Sequence, residues 1–76
     1  MIYAIKYAKI GLATLWLDQS GNKYVVSMFD MKTNETRLRE EFERFDDADK
    51  RFLALCKKIG IEPVNVEHDP YDFKFD

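Results

Sequence analysis

Seventy-six residues and 9.0 kDa leave room for one globular domain, residues 1–76, with a single core. Hydrophobic residues at 46% and aromatics at 14%, against 3 Gly and 2 Pro, exclude a disordered chain, and a formal charge of −2 lacks the basic excess that drives general nucleic-acid or anionic-membrane binding. The longest apolar stretch, Ile10 to Leu17, falls far short of the roughly 20 residues that span a bilayer, and the first ten residues lack the cationic run and apolar centre of a secretion signal, so the cytoplasm is the expected compartment.

Residues 2 to 10 alternate imperfectly. Tyr3, Ile5 and Tyr7 share one parity, while Ile2, Ala4, Ala8 and Ile10 share the other. A strand buried on both faces and a short helix both fit this pattern, and the strand is favoured. Leu12 to Leu17 and Lys23 to Phe29 are rich in β-branched and aromatic residues, and Asp18-Gln19-Ser20-Gly21-Asn22 between them has turn chemistry, which predicts a hairpin. Asp30 to Glu35 reads as a second polar turn.

Two structures then compete. Leu38, Phe42, Phe45, Phe52, Cys56 and Ile59 would form a nearly continuous stripe on one long helix from about Asn34. That helix would hold Asp46, Asp47 and Asp49 in its interior, whereas Asp is favoured at caps and in first turns. The helix is therefore expected from about Asp46 to Ile59, with Lys57 and Lys58 in its last turn and Gly60 as its stop. Residues 36–44 become a third strand with Leu38 and Phe42 inward, and Glu40 on the same parity marks it as an edge or bulged strand. Val64-Asn65-Val66 is a candidate short strand, Asp69-Pro70 a turn, and Tyr71-Asp72-Phe73-Lys74-Phe75-Asp76 alternates aromatic and charged at period two. The expected fold is α+β: an antiparallel meander of three or four strands, one helix (about 46–59) packed on one face, and a C-terminal strand or extension.

No set of residues converges on catalysis or metal binding, and the chain is expected to be neither an enzyme nor a cofactor protein. His68 and Asp69 are neighbours whose side chains diverge in extended backbone, so a solvent-exposed histidine is expected. Cys56, the single cysteine, lies at the C-terminal end of the helix on its apolar face, the wrong end to lower a thiol pKa. One cysteine and one histidine supply neither a disulfide nor a zinc site. Asp46, Asp47 and Asp49 lack the mid-loop glycine and distal glutamate of a calcium loop. Ser20-Gly21 lacks the second glycine and the Lys-Ser/Thr pair of a phosphate loop.

Two interaction surfaces remain. Glu40, Glu41, Glu43, Asp46, Asp47 and Asp49 could imitate phosphates to a basic partner, such as a nucleic-acid-binding surface of another protein, though Arg37, Arg39, Arg44 and Lys50 are interleaved with them. The second is the tail with Tyr71, Phe73 and Phe75 on one side, together with Trp16 in the hairpin; the tail rings are either core of a paired strand or aromatic anchors for a partner. The expected function is a non-enzymatic protein-binding module that binds neither nucleic acid nor membrane directly. The alternative is a structural protein that dimerises through an edge or the C-terminal strand.

The run Asn22-Lys23-Tyr24-Val25-Val26, a polar turn, and Phe42-Glu43-Arg44-Phe45-Asp46-Asp47-Ala48-Asp49-Lys50-Arg51-Phe52 resembles the hairpin-to-helix outline of the WGR domains of poly(ADP-ribose) polymerases over about half the chain. Their Trp-Gly-Arg strand is absent, so DNA binding is not carried over. In size, mild acidity and lack of catalytic residues the chain is also similar to the small inhibitors that phages and mobile elements direct against host defence, the anti-CRISPR proteins among them. That resemblance implies an inhibitor of a larger bacterial complex, acting by steric or electrostatic occupation.

Overall fold

The computed structural model describes residues 2–66. Strands β1 (Ile2–Ile10), β2 (Ala13–Ser20), β3 (Lys23–Asp30) and β4 (Glu35–Phe42) are followed by helix α1 (Phe45–Ile59) and a short strand β5 (Val64–Asn65). All pairings are antiparallel, in the order β4-β3-β2-β1-β5. The α+β fold is as expected, with a meander of four strands plus a short fifth. The predicted turn at Asp69-Pro70 and the alternating segment 71–76 lie outside the described residues, as does His68.

Two glycines shape the meander. Ile10 pairs with Ala13 across Gly11-Leu12, and Ser20 pairs with Lys23 across Gly21-Asn22. Gly11 and Gly21 have φ of 55° and 61°, and neither Leu12 nor Asn22 has positive φ. A two-residue loop with glycine first suits the twist of the strands it joins, and other residues are strained there. The second hairpin is therefore tighter than the five-residue connection expected, because Asp18, Gln19 and Ser20 belong to β2. Between β3 and β4, the Asp30 Oδ1 accepts from the Lys32 N–H at 2.9 Å, Asn34 takes φ 57°, and the Met31 N–H reaches the Leu12 carbonyl at 2.8 Å.

Side-chain alternation divides the sheet into two faces, and a bulge in β1 decides which residues share them. Ala4 pairs with Asp18 and Lys6 with Leu17, leaving Ile5 as the extra residue. The bulge reverses the parity expected for β1: Tyr3 lies on the side of Lys6 and Ala8, and Tyr7 lies opposite. On the first face the register sets Ala8, Leu15, Met28 and Leu38 in one row and Lys6, Leu17, Val26 and Glu40 in the next. On the second face Val64, Tyr7, Trp16, Ser27 and Arg39 form a row across all five strands, flanked by Lys9-Thr14-Phe29-Thr36 and Ala4-Asp18-Val25-Glu41.

Helix α1 packs on the first face, where Ala48, Phe52, Leu55 and Cys56 meet Ala8, Leu15, Leu17 and Val26. It begins at Phe45, one residue before the position expected, and its N-cap is Arg44 with no side-chain cap hydrogen bond. The aspartates are thus not caps. Asp46 and Asp47 lie in the first turn, where carboxylates complement the helix dipole. At the other end the Gly60 N–H bonds the Cys56 carbonyl at 2.8 Å. β4 ends at Phe42 where residue 44 was expected; it is an edge strand with a bulge opposite Met28 and Phe29, and Leu38 and Phe42 pack against the core. Among the described residues, no helix is long and apolar enough to cross a membrane.

Candidate functional site

The six carboxylates of the acidic segment divide into those held within the fold and those left for solvent. Glu40, inward on β4, accepts from Arg51 of α1 through both oxygens, at 3.0–3.2 Å. Asp49 accepts from the Lys6 ammonium at 2.7 Å, with both side chains about one-fifth exposed (20% and 22%). The Lys6 ammonium also sits 5.9 Å from the centroid of the Phe45 ring. Glu40 and Asp49 are thus structural. Glu41 lies 3.6 Å from Arg39 on the exposed edge.

Glu43, Asp46 and Asp47 are exposed where β4 passes into α1, and no described residue forms a hydrogen bond or ion pair with their side chains. The chain turns sharply between Phe42 and Phe45, and both aromatic rings pack toward the core, which sends the acidic side chains between and beyond them outward. The result is a compact acidic corner. Tyr71, Phe73 and Phe75 lie outside the described residues.

The second face of the sheet carries features that alternation alone did not reveal. The Tyr7 and Trp16 rings are 5.4 Å apart and tilted by 35°, and both are half-buried. Beside Tyr7, Val64 is 46% exposed. Thr14 and Val25 are buried, at 8% and 6% exposure, yet lie outside the core cluster beneath α1. No described element covers this face.

On the same face, toward β4, is a shallow cleft of about 180 Å³ lined by Asp18, Ser20, Val25, Ser27, Thr36 and Arg39. Burial pushes the Asp18 carboxyl above its ordinary 3.8. A raised carboxyl in a cleft is a familiar sign of general acid–base chemistry. Here, though, no hydrogen bond links Asp18 to the hydroxyls or the guanidinium around it, so no base–nucleophile pair is assembled. Among the described residues, no group of three or more His, Cys, Asp or Glu could hold a metal. Cys56 is buried, and its desolvation raises the thiol pKa despite the nearby Lys6 charge, which leaves a packing thiol.

Asp18 and Asp30 contribute to pH dependence with opposite signs. The folded Asp18 binds its proton at higher pH than the unfolded chain does, so its ionised form costs stability at neutral pH and the cost fades as pH falls toward 3.8. At Asp30 the Lys32 N–H, followed by Arg37, holds the carboxyl below 3.8, which stabilises the fold above that pH and is lost on further acidification. Asp18→Asn is expected to raise the melting temperature at neutral pH, with the gain shrinking to nothing as the wild-type carboxyl protonates. A gain that is constant with pH in paired thermal melts would contradict this assignment.

Compared with known protein families, curated proteins and solved structures, the chain matches none.

Proposed function

We propose that this chain is a non-enzymatic protein-binding module that presents the corner of Glu43, Asp46 and Asp47 to a basic surface of a larger protein assembly and inhibits it by occupation. This is the mode implied by its likeness to small anti-CRISPR-type inhibitors. The observation that carries the reading is the division of labour among the carboxylates: Lys6 and Arg51 are taken up by Asp49 and Glu40, and no described cation is spent on the corner. Exposed, grouped carboxylates on a rigid helix start steer and orient a basic partner, and they lose little on binding because their backbone is already ordered.

The test is capture of a partner by the tagged full-length chain, identified by mass spectrometry, followed by titration of that partner. Reversing Glu43, Asp46 and Asp47 together to lysine is expected to weaken the complex at least roughly tenfold and to flatten its salt dependence, with the far-UV circular dichroism unchanged. Arg37→Glu, toward the other end of β4 beside Asp30, is expected to leave affinity unaltered. Equal binding by the folded triple variant would remove the acidic corner as the contact.

A further inference from the structure

We propose that the open second face of the sheet is the docking site for the chain's own C-terminal aromatic segment, with Tyr71, Phe73 and Phe75 laid against Tyr7, Trp16 and Val64. This inference concerns a different surface from the acidic corner and stands or falls separately.

The face has an apolar centre and a rim of mixed charge, with Lys9, Lys23 and Arg39 against Asp18 and Glu41. Val64, Tyr7 and Trp16 follow one another across three adjacent strands, with Phe29, Thr14 and Val25 on either side. Lys9 and Lys23 lie on the same side by register, paired with Thr14 and Ser20, and neither forms an ion pair with a described residue. Helix α1 is fully committed to the opposite face.

The direction of the chain supplies the occupant. β5 sets Val64 beside Tyr7, and the Val66 N–H donates to the Ile5 carbonyl at 2.9 Å, so the remaining ten residues start at the β1 side of this face. Ten extended residues reach up to about 33 Å. The distance from β5 to β4 is four strand spacings, roughly 19 Å, so the segment can cross the whole face. In extended backbone the alternation Tyr71-Asp72-Phe73-Lys74-Phe75-Asp76 turns all three rings to one side. The ten residues carry Glu67, Asp69, Asp72 and Asp76 against Lys74, an acidic balance that complements Lys9 and Lys23; elsewhere on the face Arg39 is paired with Glu41, and Asp18 is a second carboxylate. A tethered segment also meets its site at an effective concentration on the order of millimolar, which favours docking within one chain over capture by another copy.

Trp16 is the only tryptophan and reports on the site directly. In the full-length chain with Tyr71, Phe73 and Phe75 changed to serine, Trp16 emission is expected to shift to the red and acrylamide quenching to rise about twofold, as the indole loses its cover. Both changes are expected to be independent of protein concentration. In the labelled wild-type chain, nuclear Overhauser contacts from the Trp16 indole to the Phe73 or Phe75 ring are expected. Unchanged emission and quenching in the folded variant would overturn the proposal, as would absence of those contacts in the wild type should the variant fail to fold. Emission that moves to the red on dilution of the wild-type chain would also overturn it, assigning the face to a second copy.

Discussion

Phe52→Ala is expected to be among the most destabilising single substitutions in the domain. The Phe52 side chain is 0% exposed and is the largest wholly buried group among the described residues, placed between α1 and the β2–β3 centre of the sheet. Truncating a buried phenylalanine costs about 3–5 kcal/mol, made up of lost transfer free energy and the cavity left behind. A chain of this length is stable by roughly 4–11 kcal/mol, so the substitution removes from about a quarter to all of the margin. Collapse cannot readily fill the gap, because Leu17 and Val26 beneath the ring are fixed by strand pairing on both sides. Urea titration followed by far-UV circular dichroism measures the effect, and a loss below about 1 kcal/mol would show that the helix does not depend on this contact.

The second large effect is electrostatic. The row Lys6-Leu17-Val26-Glu40 has two buried aliphatic residues at its centre and a charge at each end, and α1 answers each charge with its opposite: Asp49 to Lys6 and Arg51 to Glu40. Reversing the direction of the helix on the sheet would set Asp49 toward Glu40 and Arg51 toward Lys6, so the two pairs together favour one orientation over its opposite. Lys6→Glu puts a carboxylate where Asp49 now lies 2.7 Å from the ammonium. The position is about one-fifth exposed, between the surface pairs worth under about 1 kcal/mol and the buried pairs whose breakage costs about 3–5. A loss of about 2–3 kcal/mol is expected, and Lys6→Glu with Asp49→Lys should restore most of it. If the double variant is no more stable than Lys6→Glu alone, the pair is incidental to helix placement.

The same pairs show where the amino-acid sequence is transparent and where it is not. The helix was legible because its signals are local: acidic first turn, basic last turn, glycine stop and an apolar stripe agree over fifteen residues. The β2–β3 hairpin was legible through Gly21-Asn22. Gly11-Leu12 carries the same glycine-first pattern, but it sits inside the apolar stretch Ile10 to Leu17 and so does not stand out by polarity. Glu40 looked like a flaw in an otherwise alternating strand, and its partner, Arg51, is eleven positions away on another element. The facing of Tyr3 and Ala4 was hidden by the bulge at Ile5, because one extra residue reverses the facing of everything before it. Long-range partners and bulges leave no periodic trace, and so the separation of the acidic segment into bound and unbound carboxylates emerges only with the fold.

The sheet order also has a kinetic meaning. From β4 to β1, each strand neighbours the one before it in the chain, so three of the four pairings close short loops. Among the described residues, the β1–β5 pairing alone must bring together positions about 60 residues apart, at the largest loop-closure entropy of these pairings, and it returns just two paired positions. It is therefore the last part of the ladder to zip and the first to fray. β5 can detach while the four-stranded meander and its helix remain intact, so Val64 can leave Tyr7 without global unfolding.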